Sequence, residues 1–300
     1  MAHRSRAAVA VLGLMLFLAS GCAYKTEPEP AEYQVKQTFD VEYGKVGDRP
    51  LLLHIAQPDP TPKKPMPVVI WLHGGGWMSG RSKYSPNPQL VKHGYFTVTV
   101  DYRLTDEAIF PAQIQDVKAA VRWLRANAKT YNIDPDRIAV WGHSAGGHLA
   151  ALLGTSGGVA ELEGDGGSAG QSSRVQAVVN LAGVIDLTKQ PEPQDDPSTA
   201  LGRLVGGAVK DKPDMVKQTN PITYITKDDP PVLTFHGQND KVVPLSQSES
   251  LHEALQKAGV KSELALLPDR GHDIVGAASV PPVVEEQVLA FFDKYLKGKK

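Results

Sequence analysis

Short apolar segments alternate with helix-like patterns along most of this chain, and that alternation restricts its fold more than any other feature. Residues 68–72 form a continuous apolar run, as expected for a strand buried on both faces of a sheet. The patterns around it predict a strand pair at 37–43 and 51–55, later strands at 96–102, 138–141, 175–181, 232–236 and 263–267, and helices at 111–129, 145–153, 245–258 and 282–296. Strands that alternate with helices form mainly parallel sheets, so we predict an α/β fold with helices on both faces.

The composition excludes several classes of function. The chain has 300 residues, 41% of them hydrophobic, which is enough for one large core. Its formal net charge is -1, and because nucleic-acid-binding surfaces need an excess of basic residues, we expect no nucleic-acid partner. The sequence has no HExxH motif, no Cys pair and no Gly-Lys-Ser/Thr after its glycine run. We therefore expect no metal and no cofactor, while the oligomeric state stays open.

A pentapeptide with the pattern G-x-S-x-G, Gly142-His143-Ser144-Ala145-Gly146, lies between a predicted strand and a predicted helix. In that context the glycines allow a very sharp turn, which lifts the Ser144 hydroxyl clear of the backbone above the sheet. The start of the following helix favours negative charge that develops nearby. We therefore predict that Ser144 is a nucleophile, and that the fold is the α/β-hydrolase fold.

A serine nucleophile needs a base and an acid that orients the base, and this fold places them in the chain order Ser, Asp, His. Asp240 follows the predicted strand at 232–236, and His272 follows the one at 263–267. Both lie at the carboxyl ends of strands, where α/β sheets build their sites. We predict His272 as the base and Asp240 as its acid, with Asp186 as the second candidate acid. His236 is expected to support the turn that carries Asp240.

A glycine run directly after the strand at 68–72, His73-Gly74-Gly75-Gly76-Trp77, predicts an oxyanion hole. A tetrahedral intermediate carries an oxyanion that needs N–H donors already aimed at it, and successive glycines let the backbone come close enough. The candidate donors are the backbone N–H groups of Gly75, Gly76 and Ala145, with Trp77 as a substitute for one of them. We assign Trp77 and His143 to substrate binding, and a purely packing role for Trp77 stays open.

The N-terminus has the pattern of an export signal. Two Arg residues precede an apolar stretch at 7–19, which has the length of a signal-peptide core and is short for a membrane span. Small residues then lead to Cys22, the only Cys of the chain, as in a bacterial lipobox. We expect a signal peptide at 1–21, a lipid on Cys22 and a stiff polar tether at 22–34. The protein would be exported and anchored to a bacterial membrane, on its periplasmic face or at the cell surface; a plain secretory signal and an uncleaved anchor are the alternatives.

The remaining residues, 35–300, are predicted to form the catalytic domain, and one segment of it departs from the alternation. Residues 186–224 contain five Pro and no long periodic run, and they connect two core strands. Long connections in compact domains are usually functional or mobile. We predict a lid-like insertion here, with a passive surface excursion as the alternative.

From residue 68 to residue 272, about two-thirds of the chain, the sequence resembles bacterial esterases of the bifunctional feruloyl/acetyl-xylan esterase-like group. These are α/β-hydrolases related to the hormone-sensitive-lipase type. The resemblance is carried by the motifs His73–Trp77, Asp101–Leu104, Asp134–His148, Thr155–Val159, Ser172–Val179, Asn220–Tyr224, His236-Gly237, Asp240 and Val243-Pro244. The chain has Gly183-Val184-Ile185-Asp186 where members of this group often have Gly-Pro before the acidic residue, close to the expected substrate pocket.

The resemblance implies hydrolysis of carboxylic esters through an acyl-enzyme, with acetyl or other small acyl groups, or with feruloyl groups on plant polysaccharide. The catalytic triad of the group falls on Ser144, Asp240 and His272 of this chain. Two other functions remain open at this stage: a serine peptidase or amidase of the same fold, and a lipoprotein that keeps the fold for binding alone. The presence of all three triad residues and of the glycine run argues against the lipoprotein that only binds, because a binding module does not need them.

Overall fold

The computed structural model describes residues 33–80, 83, 85–276 and 279–298. The predicted signal peptide, Cys22 and nearly all of the predicted tether lie outside the described residues. The last residue assigned to the tether, Gln34, is the first residue of a strand. Among the helices that the structure describes, none combines the length and the apolar character needed to span a membrane.

The described residues contain eight strands in one sheet: Gln34–Val46 (β1), Arg49–Asp59 (β2), Met66–Leu72 (β3), Phe96–Val100 (β4), Ile133–His143 (β5), Ala177–Leu181 (β6), Val232–Gly237 (β7) and Ser262–Leu267 (β8). The strand order is β1-β2-β4-β3-β5-β6-β7-β8. The pairs β1/β2 and β2/β4 are antiparallel, and all other neighbours are parallel. The predicted antiparallel pair and the predicted mainly parallel sheet are both present.

The helices of the described part of the chain are Gln89–Lys92 (α1), Ala112–Ala126 (α2), Ala128–Tyr131 (α3), Ala145–Thr155 (α4), Ala160–Glu163 (α5), Ala200–Val205 (α6), Pro213–Thr219 (α7), Leu245–Lys257 (α8) and Pro282–Leu296 (α9). The predicted helix at 111–129 ends early, at Ala126, and a further short helix follows it. Asn132, with a φ of 52°, ends that second helix and leads directly into β5. β5 therefore begins five residues before the predicted start at 138.

Each face of the sheet carries its own apolar core. Along β3, whose residues are all buried, Val68, Ile70 and Leu72 face one core, and Val69 and Trp71 face the other. Side chains of α2, α4 and α8 belong to the first core, and those of α1 and α9 to the second. This alternation follows from the two-residue period of a strand and covers both faces of the sheet. Polar catalytic groups therefore have to lie at the ends of the strands.

Candidate active site

Ser144 lies on a sharp turn between β5 and α4. Its φ of 56° and ψ of -119° fall in a region that L-residues rarely occupy. A Cβ on Gly142 would collide with the Gly146 carbonyl, and a Cβ on Gly146 would collide with the carbonyl of Leu72 on β3. Both glycines are therefore required by close packing, and the turn leaves the Ser144 side chain partly exposed at the carboxyl end of the sheet.

The structure brings Ser144, His272 and Asp240 together from the ends of different strands. The Ser144 Oγ lies 2.9 Å from His272 Nε2, and His272 Nδ1 lies 2.7 Å from Asp240 Oδ2. Since a carboxylate only accepts hydrogen bonds, the proton of the neutral imidazole is on Nδ1, and Nε2 can accept the hydroxyl proton of Ser144. The His272 side chain is 19% exposed and that of Asp240 is 0% exposed. The candidate base is accessible to a reactant, while the candidate acid is shielded from water.

Asp240 is held as a buried carboxylate. Its Oδ1 accepts hydrogen bonds from the backbone N–H groups of Val242 and Val243, at 2.8 and 2.9 Å. Burial alone would raise the pKa of Asp240, but hydrogen bonds from His236, from His272 and from these two N–H groups together lower that pKa below its ordinary value. The carboxyl group is therefore ionised at neutral pH, as the orientation of His272 requires.

His236 supports the loop that carries Asp240, in agreement with the sequence. Its ring is buried, its Nε2 donates to the Val243 carbonyl at 3.0 Å and also faces Asp240 Oδ2 at 3.4 Å, and its Nδ1 lies 2.7 Å from the Ser248 hydroxyl on α8. The second candidate acid, Asp186, has different partners. Its Oδ1 accepts from the N–H and hydroxyl of Thr188, which places Asp186 at the start of a short 3-10 helix rather than beside His272.

His143 contacts the backbone of the candidate base. Its Nε2 donates to the His272 carbonyl at 2.8 Å, and the two ring centroids are 4.9 Å apart. Burial lowers the pKa of His143 to about 4, although that hydrogen bond opposes the shift. The ring is therefore neutral at pH 7, and its one N–H is used by the backbone. The structure places His143 as a support for His272, and its assignment to substrate binding stays a prediction.

The glycine-rich segment His73–Trp77, which we call the oxyanion loop, lies beside Ser144. Gly75, Gly76 and Trp77 have successive φ values of 111°, 59° and 57°. The Gly75 carbonyl accepts from the N–H groups of Met78 and Ser79, both at 3.1 Å, which closes a tight turn. A Cβ on Gly74 would lie 3.3 Å from the Ser144 Cβ, so the backbone of the oxyanion loop touches the nucleophile turn.

Ala145 completes the set of predicted oxyanion donors. It is the first residue of α4, where backbone N–H groups have no partner within the helix. The helix start and the oxyanion loop flank Ser144 from two sides, as an oxyanion hole requires. The assignment of the donors to Gly75, Gly76 and Ala145 stays a prediction.

Trp77 is not placed as an apolar wall for a substrate. Its side chain is 1% exposed, and its Nε1 donates to His148 Nδ1 at 3.2 Å. A ring without accessible surface offers nothing to a ligand, so the structure corrects the substrate-binding assignment and favours the packing role. The partner, His148, was not singled out from the sequence for any function. The sequence did contain a signal for a special role of His148, because His148 is the one ionisable residue in the apolar helix α4.

The predicted insertion at residues 186–224, hereafter the insertion, contains α6, α7 and short 3-10 turns. It approaches the oxyanion loop at α6, where a Cβ on Gly76 would lie 3.3 Å from the Ala200 Cβ. The Leu204 carbonyl accepts from the Phe110 N–H at 2.8 Å, which ties α6 to the body of the domain. The insertion thus borders the oxyanion loop, and its role as a lid stays a prediction. Within the described ranges, no three His, Cys, Asp or Glu side chains converge where they could hold a metal ion.

The profile of the BD-FAE family matches residues 53–255, more than half of the chain. The chain belongs to the BD-FAE family. This finding confirms the resemblance stated from the motifs, and the observed sheet and helices confirm the predicted α/β-hydrolase fold.

Individual relatives of this BD-FAE member include proteins of known structure. Esterase LipQ of Mycobacterium tuberculosis is 32% identical over 278 residues, which are 91% of this chain and 66% of LipQ. A truncated carbohydrate esterase from gut microbiota is 32% identical, with a TM-score of 0.80 over 90% of this chain and 99% of that one. An acetyl ester-xyloside bifunctional hydrolase from Caldicellulosiruptor lactoaceticus is 28% identical, with a TM-score of 0.70 over 83% of this chain and 89% of that one. The chain spans 66%, 62% and 60% of the length of the first three mycobacterial relatives.

Proposed function

We propose that this BD-FAE family member is a serine carboxylesterase that hydrolyses small-acyl or carbohydrate-linked esters through an acyl-enzyme. One observation carries the proposal: Ser144 Oγ, His272 and the buried Asp240 form a continuous hydrogen-bonded chain at the start of α4. The esterases among the relatives support the same class of reaction, and the prediction of an ester hydrolase agrees with them.

In the first half of the reaction, His272 Nε2 takes the proton of the Ser144 hydroxyl while Oγ attacks the ester carbonyl carbon. The carbonyl oxygen becomes an oxyanion, which the N–H groups of the oxyanion loop and of Ala145 stabilise. Asp240 stabilises the imidazolium that forms. The bond from carbon to the alcohol oxygen then breaks, His272 returns the proton to that oxygen, and the acyl group stays on Ser144.

In the second half, water replaces the alcohol. His272 takes a proton from the water as its oxygen attacks the acyl carbon, and the second oxyanion uses the same donors. The bond from carbon to Ser144 Oγ breaks, His272 gives the proton back to Oγ, and the carboxylic acid leaves. The exposed edge of His272 permits this exchange of alcohol for water.

The proposed substrate class rests on the relatives and on the burial of Trp77. The solved relatives described as a carbohydrate esterase and as an acetyl ester-xyloside bifunctional hydrolase support acetylated sugars or xylan as substrates. A feruloyl ester, also implied by the motifs, has the same bond to cleave and a bulkier acyl group. We place acetyl esters first, because the buried Trp77 contributes no aromatic surface for a feruloyl ring.

Hydrolysis of p-nitrophenyl esters tests the proposal. The full-length chain, purified in detergent, is assayed on acetyl, butyryl, octanoyl and longer esters beside Ser144→Ala, and then on acetylated xylan and methyl ferulate. We expect the fastest turnover on acetyl or butyryl ester and its loss in the variant. A folded protein that cleaves none of these esters would contradict the esterase proposal and favour a peptidase or a binding protein.

We also propose that Cys22 carries a lipid that anchors the protein to a bacterial membrane, on the periplasmic face or at the cell surface. The support is the pattern of the sequence around the only Cys of the chain. Metabolic labelling with an alkyne fatty acid tests it, with Cys22→Ser as the control. Label on the natural chain and none on the variant is expected, whereas equal labelling of the two would exclude Cys22 as the lipid site.

A further inference from the structure

His148 is a polar ring inside an apolar helix. It lies on α4, four residues after Ser144, and its side chain is 0% exposed. A buried imidazole is stable only if its polar atoms find partners. The partners of His148 come from two segments that are distant in the sequence, and both border the active site.

The hydrogen bonds of His148 fix its protonation. Its Nε2 lies 2.8 Å from the Thr219 carbonyl, and since a carbonyl only accepts, Nε2 carries the proton. Its Nδ1 is then the acceptor for the indole N–H of Trp77, at 3.2 Å. The two rings meet edge to face, with centroids 5.2 Å apart. Burial lowers the pKa of His148 to about 4, so the ring keeps this neutral form at pH 7.

These two bonds connect three parts of the site. Thr219 ends α7 in the insertion, Trp77 ends the oxyanion loop, and His148 itself lies on the helix that begins after Ser144. Trp77 has a φ of 57° and its carbonyl accepts from the Thr105 N–H at 2.9 Å, so both its backbone and its side chain are held. Residue 77 directly follows Gly75 and Gly76, so holding it restrains the backbone that carries their N–H groups.

We propose that His148 is a positioning residue that fixes the oxyanion loop through Trp77 and couples that loop to the insertion through Thr219. The inference rests on the proposed function only in that the oxyanion loop acts in ester hydrolysis. A displacement of Thr219 would reach the oxyanion loop through the ring of His148 and the Trp77 indole. The contact of Ala200 with Gly76 gives the insertion a second, direct path to the same loop.

Two substitutions separate the two bonds. In His148→Gln the side-chain amide N–H takes the place of Nε2–H and keeps the donor to Thr219, but nothing accepts from Trp77. In His148→Asn the amide oxygen takes the place of Nδ1 and keeps the acceptor for Trp77, but the side chain is too short for Thr219. Trp77→Phe keeps a buried ring and removes the indole N–H. The matched control is His252→Gln, a half-buried histidine on α8 whose Nδ1 lies 2.8 Å from the Ser262 hydroxyl.

The kinetic test uses kcat and KM on p-nitrophenyl acetate. We expect His148→Gln and Trp77→Phe each to lower kcat about tenfold at nearly constant KM, the loss of one hydrogen bond that orients the oxyanion donors. The double variant should be no slower than either single one, because both remove the same bond. His252→Gln should keep kcat within about twofold, and His148→Asn, which keeps the acceptor for Trp77, should lose less than His148→Gln. Equal loss of kcat in His148→Asn and His148→Gln, or multiplying losses in the double variant, would overturn the proposal.

Amide hydrogen exchange tests the coupling without relying on activity. We expect faster exchange at residues 74–79 in His148→Gln and Trp77→Phe, and faster exchange at residues 213–220 in His148→Asn. If the natural chain hydrolysed no ester, the esterase proposal would fail while this exchange pattern still decided the coupling. Unchanged exchange in both segments, in variants that remain folded by circular dichroism, would show that His148 only fills space.

Discussion

His143 Nε2 donates a hydrogen bond to the backbone carbonyl of His272 at 2.8 Å, so the residue before the proposed nucleophile supports the proposed base. The bond crosses from the turn after β5 to the loop after β8. It fixes the backbone of His272 relative to Ser144, while Asp240 fixes the His272 ring. The proposed general base is thus held at two points, one on its main chain and one on its side chain.

Removal of the His143 donor should therefore lower kcat without a change in chemistry. We expect His143→Ala to lose about tenfold in kcat on p-nitrophenyl acetate, the scale of one hydrogen bond. His143→Gln keeps an N–H in nearly the same place and should lose less than about threefold. Steady-state kinetics at pH 8 decides the matter, and equal losses in the two variants would indicate that ring volume rather than the donor is what matters.

Asp240→Asn should lower kcat far more than His143→Ala. The amide cannot stabilise the imidazolium, and its N–H group, if turned toward His272, forces the proton of the ring onto Nε2, where it blocks the hydroxyl of Ser144. We expect kcat to fall by about 10³- to 10⁴-fold with little change in KM. Asp186→Asn is the control from the second candidate acid and should retain most of the activity. A large loss in Asp186→Asn and a small one in Asp240→Asn would exchange the two assignments.

The free energy of unfolding should decrease as the pH falls from 6.5 toward 4. Burial lowers the pKa values of His143 and His148 to about 4 from 6.5, so between these limits the unfolded chain binds protons that the folded chain does not. The stabilisation from each ring is complete above pH 6.5 and is lost as the pH falls toward 4, up to about 3 kcal/mol per ring. Urea unfolding of the natural chain and of His148→Gln at several pH values checks this. The variant should show the shallower slope, and parallel slopes would contradict the neutral, buried His148.

Much of the site could be predicted from the sequence, because a parallel sheet brings the ends of its strands to one edge. Ser144, Asp240 and His272 each follow an apolar run, so their convergence did not depend on details of packing. The start of β5 was missed for a local reason. Pro135 and its acidic neighbours disfavour a strand, but the pairing of Met66 with Ile133, followed by a register shift, extends β5 through them.

The contacts by which His143 and His148 support the site could not be predicted in the same way. His143 and His148 are close to Ser144 in the sequence, and the Ser–Asp–His order excludes both as the base. Their partners are 129 and 71 residues away, and each bond ends on a backbone carbonyl, one in the loop after β8 and one at the end of α7. No residue type marks a backbone acceptor, so such a contact is visible only once the loops are placed. Trp77 was misassigned for the same reason. Its indole is turned inward to donate to His148, and the sequence does not show that the two side chains meet.

The nucleophile turn gives a prediction about stability and activity together. Gly146 approaches β3 so closely that a Cβ would meet the Leu72 and His73 carbonyls, which belong to backbone and cannot move aside. Gly146→Ala should therefore destabilise the fold by about 1–3 kcal/mol, and it should lower kcat because α4 must shift and carry Ser144 with it.

Gly166→Ala is the matched control, since a Cβ there meets only the Ala119 Cβ at 3.4 Å, an ordinary contact. It should remain within about 1 kcal/mol of the natural chain and keep its activity. Urea unfolding with p-nitrophenyl acetate assays on the same samples measures both effects. A Gly146→Ala variant with natural stability and kcat would mean that the turn tolerates a wider separation of α4 from β3 than the structure shows.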